Sequence, residues 1–170
     1  MFNTSDVPAT TNYFLKPGYI YLPMRPTVVS TVLGSCVTVV LWDRKRKRGG
    51  INHFQLPHCR KAEKTTARYG DASTLMLIRM MIQDGSKRKH LEAQIFGGAY
   101  NKEISSKDIG LENIRIARKV LARYGIRIVS EDVGGERGRK IIFDAVLNEV
   151  AVLKVERLRE GDWHPYQDQR

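Results

Sequence analysis

Cysteine is scarce: Cys36 and Cys59 are the only two in 170 residues, too few for the disulfide framework of a small secreted scaffold. Acidic residues are also few. Eighteen Asp and Glu stand against 29 Lys and Arg, a formal net charge of +11. Such an excess points to an acidic partner: nucleic acid, an anionic membrane surface or an acidic protein. Long hydrophobic runs are missing. The longest apolar-leaning stretch, Val28 to Trp42, is interrupted by Ser30, Thr31, Ser35 and Thr38 and falls short of the roughly 18–20 apolar residues of a spanning helix. Met1 to Asn12 is mostly polar and shows no basic-then-apolar leader. These absences set the expectation of a cytoplasmic, reducing environment in which both thiols are free.

The length and an ordinary hydrophobic share of 42% fit one folded domain. Residues 1–12 read as a loose arm, 13–157 as the domain and 158–170 as a polar tail. Tyr13 to Pro23 is aromatic but broken by two prolines, hence a docked extended segment. Thr27–Leu33, Cys36–Trp42 and Ile51–Leu56 read as strands, Glu92–Phe96 and Ile126–Ser130 as two more, and Lys140–Val146 with Val150–Val155 as a hairpin. His58 to Tyr69 reads as a basic loop. Leu75, Ile78, Met81 and Ile82 recur at helical spacing within Asp71–Ile82. The second helix runs over Ser105–Tyr124, capped by Ser105 or Ser106, with Ile114, Ala117, Leu121 and Tyr124 on one face. Early strands, two helices between strands and a late hairpin predict a single α/β domain with a mixed sheet.

Chemistry concentrates between Ser30 and Pro57. Cys36 follows a Gly34-Ser35 turn, and His53 lies in the next strand. A hairpin turning around Arg44 and Lys45 makes the numbers of facing residues sum to about 89, which Cys36 and His53 satisfy. Directly opposed residues share a face, with Cβ atoms roughly 4.5–5.5 Å apart. An imidazole there can take the thiol proton and later return it to a leaving group. Ser30 or Thr31 can orient the ring, and backbone N–H groups near Gly34, Ser35 and Cys36 can receive an oxyanion. Against this stands packing: a cysteine in an apolar strand is usually inert.

Leu33-Gly34-Ser35-Cys36-Val37, Gly50-Ile51-Asn52-His53-Phe54 and Leu56-Pro57 resemble the CheD family of chemoreceptor glutamine deamidases. Further pieces follow in order: Arg68-Tyr69-Gly70-Asp71, Phe96-Gly97-Gly98-Ala99, Ile109-Gly110 with Asn113, Tyr124-Gly125-Ile126, and Asp132-Val133-Gly134-Gly135 with Gly138-Arg139-Lys140. Tyr13 to Gly18 also resembles the family's opening segment, so the likeness spans about residues 13–157. It implies an α/β/α-type layered domain related to deamidating toxins, with no metal or cofactor. It implies Cys36 as nucleophile and His53 as base. The family's threonine, six positions before the cysteine, falls on Ser30 here, with Thr31 the alternative beside it. The implied reaction is hydrolysis of a receptor glutamine to glutamate through a Cys36 thioester. Transamidation by a lysine uses the same residues. A second class of reading is a binding module that stimulates a CheC-type phosphatase.

Other signals weigh less. Arg44, Lys45, Arg46, Lys47 and Arg48 form five consecutive cations. They read either as a solvated hairpin tip or as a steering patch for acidic receptor helices. No nucleic-acid motif accompanies the charge, so specific nucleic-acid binding is not expected, nor is membrane insertion. Gly134-Gly135 through Lys140 lacks the Lys-Ser/Thr ending of a phosphate loop. His58 and Cys59 have no second ligand pair at metal spacing. Trp163-His164-Pro165 is a possible docking point in the tail.

Overall fold

The computed structural model describes residues 9–157; the expected tail at 158–170 and most of the expected arm lie outside them. Eleven elements of regular structure follow one another. They are β1 (Thr11–Phe14), β2 (Ile20–Tyr21), β3 (Thr27–Leu33), β4 (Val37–Asp43), β5 (Arg48–Asn52), α1 (Gly70–Gln83), β6 (Leu91–Gly97), α2 (Ile109–Arg123), β7 (Arg127–Val133), β8 (Gly138–Asp144) and β9 (Glu149–Val155). Single 3₁₀ turns occupy Ala62–Lys64 and Arg88–His90. The first strand starts at Thr11, inside the stretch expected to be a loose arm.

The α/β class is as expected, but the layers differ. Two mixed sheets are present, a four-stranded one ordered β1-β3-β8-β9 and a five-stranded one ordered β2-β5-β4-β6-β7. Both helices cover one face of the five-stranded sheet. There Val37, Val39, Leu41 and Phe54 meet Leu77, Ile78, Met81, Ile114, Ala117 and Leu121. The opposite face packs on the four-stranded sheet, with Val40, Ile51 and Phe96 against Leu15, Val29, Leu33, Ile141 and Phe143. The order is therefore helices, sheet, sheet, not helices on both faces. Every residue of β4 is buried, as a strand sandwiched between two apolar layers requires.

Local chemistry explains two shifted boundaries. The second helix starts at Ile109, not near Ser105, because the Asp108 carboxylate caps it by accepting the Leu111 N–H at 2.8 Å. The β4–β5 hairpin turns later than expected. Asp43 Oδ1 accepts the N–H groups of Lys45 and Arg46, and Lys47 takes φ 56° with its N–H on the Asp43 carbonyl. Facing residues consequently sum to 91, as Val40 does with Ile51 and Asp43 with Arg48.

Candidate active site

Cys36 does not lie in a strand. It ends the Gly34-Ser35 bend and precedes β4. His53 likewise follows β5, where its N–H donates to the Tyr19 carbonyl and its carbonyl accepts from Gly18. Val37 and Phe54 bridge the two segments in the 91 register, which places Gln55 opposite Cys36 and Thr38 opposite His53. The expected direct Cys36–His53 opposition is thus a diagonal one. The shift is even in number, so both side chains stay on the same face, the one turned to the four-stranded sheet. Diagonal Cβ atoms lie about 7–8 Å apart, within the combined reach of an imidazole and a thiol.

The third group comes from the other sheet. Thr31, on the inward face of β3 with Val29 and Leu33, sets Oγ1 2.7 Å from His53 Nδ1. The same hydroxyl donates to the Leu15 carbonyl at 2.8 Å. A carbonyl only accepts, so the single hydroxyl proton belongs to that bond, and Thr31 must accept the Nδ1 proton of His53. This fixes the tautomer: Nε2 carries the lone pair. Ser30, the residue expected from the family position, has the opposite parity on β3. It pairs with Ile142 and Phe14 and does not reach the imidazole. Alternation along a strand sends adjacent residues to opposite faces, and the two-sheet architecture makes the inward one Thr31.

His53 is fully buried, and Nε2 has no partner among the described residues. Thr38 across from it also has a buried, unpartnered Oγ1. Burial pushes the His53 ring down to about 4, against the Leu15 backbone, which favours the protonated form. Burial likewise pushes the partly exposed Cys36 thiol up to about 11. Its own backbone N–H and the charge of the exposed Arg68 both pull the other way. At neutral pH the pair therefore rests as neutral thiol and neutral imidazole.

The turn before the thiol is held by its carbonyls. The Gly34 carbonyl accepts from Ala99 N and the Cys36 carbonyl from Gly98 N. The Ser35 carbonyl accepts from Asn113 Nδ2 at 3.0 Å. No carbonyl among the described residues takes the N–H groups of Gly34, Ser35 or Cys36. The Cys36 N–H is turned to its own thiol; the anchored carbonyls leave the Gly34 and Ser35 N–H groups beside that thiol, the kind of preorganised donor set that can receive an oxyanion. Asn113 and the Leu15 carbonyl escaped the sequence reasoning as site parts, although Asn113 belongs to one of the quoted motifs. The fully buried Asn113 amide also donates to the Gln55 carbonyl at 2.9 Å, and so ties the thiol turn to the segment carrying His53. Gly97 is packed as tightly: at φ +106° an added Cβ would stand 2.3 Å from the Cys36 carbonyl oxygen.

The five cations Arg44 to Arg48 lie elsewhere. They cap the far end of β4, roughly 25 Å along the strand from Cys36. Arg46 and Arg48 are engaged with Asp84 at 2.9 and 3.2 Å. The site's own cation is Arg68. His58 and Cys59 sit in the neighbouring loop, and no group of three or more His, Cys, Asp or Glu among the described residues is arranged to hold a metal.

Comparison with known proteins matches residues 55–154 to the family model described as CheD chemotactic sensory transduction. A protein of Trichlorobacter lovleyi, named a probable chemoreceptor glutamine deamidase CheD, is 39% identical over 136 residues, covering 79% of this chain and 84% of its own. A similarly named protein of Geobacter sulfurreducens is 35% identical over 156 residues, 91% of this chain and 96% of its own. One of Rhodospirillum rubrum is 39% identical over 145 residues, 84% and 82% respectively. With relatives this similar matched along most of their length, the chain belongs to the CheD family.

Proposed function

We propose that this protein is a chemotaxis enzyme that hydrolyses glutamine side chains of chemoreceptor cytoplasmic helices to glutamate and ammonia. The observation that carries the reading is the Thr31–His53 bond, which leaves Nε2 as a base on the face that carries Cys36. Nε2 takes the thiol proton as sulfur attacks the amide carbon, and the oxyanion is received by the turn N–H groups of Gly34 and Ser35. The tetrahedral intermediate expels ammonia, which carries the proton held by His53. The resulting Cys36 thioester is attacked by water, deprotonated by the same nitrogen. Sulfur leaves and regains its proton, and the net change is one water consumed and one ammonia released. The relatives' printed names support the substrate. Arg68 at the mouth and the basic loop before it suit acidic receptor helices, a role expected of Arg44 to Arg48 from sequence alone.

The test is intact-mass analysis of receptor cytoplasmic fragments after incubation with the protein. Deamidation adds about one dalton per site, the difference between NH₂ and OH. Cys36→Ala is expected to abolish both the mass gain and ammonia release at a stability cost of about 1–2 kcal/mol. Cys59→Ala keeps both. Full activity in Cys36→Ala would reject the reading.

A further inference from the structure

The end of the molecule remote from Cys36 gathers four loops. Arg44 donates to the Lys89 carbonyl at 3.1 Å and through its backbone to His90, which joins the β4–β5 turn to the 3₁₀ turn before β6. Arg48 reaches the Pro23 carbonyl at 3.1 Å. A groove of about 190 Å³ runs between Met24, Arg25, Lys47 and Val146, so the β8–β9 turn adjoins both. Arg25, Arg44, Lys45, Lys47, Lys87, Arg88 and Lys89 are all exposed here. Among them stand apolar side chains with little cover: Met24 is 72% exposed, Leu147 63% and Val146 48%. The nearby carboxylates are mostly committed. Asp43 is buried, Asp84 accepts Arg46 and Arg48, and Asp144 accepts the Val146 and Leu147 N–H groups.

We propose that this end docks on an anionic lipid bilayer. Apolar side chains projecting from turns inside a ring of lysines and arginines match an interfacial layer, where the tips enter the headgroup region and the cations meet lipid phosphates. An acidic protein surface would need only the charge. This is adsorption, not spanning: no described helix is long and apolar enough to cross a membrane. In this pose the Cys36 mouth faces away from the bilayer. The inference stands independently of the proposed chemistry.

The test is co-sedimentation of the full chain with phosphatidylcholine vesicles, with and without about 30% phosphatidylglycerol, in 0.1 M salt. Binding is expected only to the anionic vesicles. Lys45→Gln/Lys47→Gln/Lys87→Gln/Lys89→Gln is expected to weaken it at least about tenfold, as the loss of four surface cations requires. Met24→Ser/Leu147→Ser should weaken it at least about threefold with all charges kept. Arg60→Gln/Lys61→Gln/Lys64→Gln, at the Cys36 end, should bind within about twofold of the parent. Thermal melting by circular dichroism verifies that each variant is folded. Failure of the parent to bind anionic vesicles overturns the proposal. So does an equal loss in the Arg60/Lys61/Lys64 variant. Binding of soluble polyglutamate with no effect of the Met24/Leu147 change overturns it in favour of an acidic protein surface.

Discussion

The Thr31 hydroxyl and the His53 ring, 22 residues apart in sequence and 2.7 Å apart in space, join the two sheets at one hydrogen bond. Thr31 comes from the four-stranded sheet and His53 from the end of β5 in the five-stranded one, so the orientation of the ring depends on how the sheets pack. Thr31→Val keeps the β-branch and removes the acceptor. It is expected to lower ammonia release by about one to three orders of magnitude with little change in binding of the receptor fragment. Ser30→Ala, on the outer face, should be nearly silent. The reverse pattern would place the inward face of β3 one residue off.

His53 gives the fold a defined response to acid. Its folded pKa, about 4, lies below its ordinary value of 6.5. Above about pH 6.5 the ring is neutral in both folded and unfolded chains, and the full stability is present. As pH falls from there toward 4, only the unfolded chain takes the proton. This ring then costs up to about 1.4 kcal/mol per pH unit. Urea unfolding at pH 7 and pH 5 should show a smaller loss for His53→Gln than for the parent. Equal losses would mean that the ring does not titrate as its burial requires.

Cys36 should react slowly with electrophiles at neutral pH. With the thiol pushed up to about 11, iodoacetamide alkylation in a Cys59→Ala background is expected to rise about tenfold per unit from pH 7 to 10. A plateau below pH 8 would instead reveal a thiolate–imidazolium pair already formed at rest.

The Asn113 bonds to the Ser35 and Gln55 carbonyls predict a positioning role that is testable apart from stability. Asn113→Asp keeps the shape but faces the Ser35 and Gln55 carbonyls with a carboxylate. Turnover is expected to fall about 10–100-fold while the Michaelis constant stays within about threefold, since a displaced nucleophile loses alignment, not contact area. A matching rise in the Michaelis constant with unchanged turnover would assign the amide to substrate binding.

Gly97→Ala should cost more than about 2 kcal/mol, combining a left-handed backbone with a contact no Cβ tolerates. Thermal melting measures it. A neutral effect would show that the Cys36 carbonyl gives way freely.

Much of this site could be read from the chain, and the exceptions have identifiable causes. The Cys36–His53 face survived an error in register only because the shift was even. The turn lengthened because Asp43 caps two N–H groups, which hydrophobic pattern does not encode. On α1, Leu77, Ile78 and Met81 are buried while Ile82 is 42% exposed. The fully buried Ser73 and Thr74 turn the packed face away from the one that apolar spacing suggested. On α2 the expected Ile114, Ala117 and Leu121 do face the core. The choice of Thr31 over Ser30 needed the second sheet, because adjacent hydroxyls on one strand are distinguished only by what each face meets. Asn113 bonds to carbonyls 78 and 58 residues away, a relation no local pattern carries.

The sealing of His53 has a consequence for the order of traffic. Thr31 and Leu15 occupy the Nδ1 side, which leaves Nε2, on the face that carries Cys36, buried and without a partner among the described residues. In the chemistry proposed above, ammonia leaves and water arrives at the same carbon beside this one nitrogen, one after the other. On the thioester chemistry proposed above, dissolved ammonia competes with water for the acyl group and returns it to the amide, so added ammonia slows net deamidation.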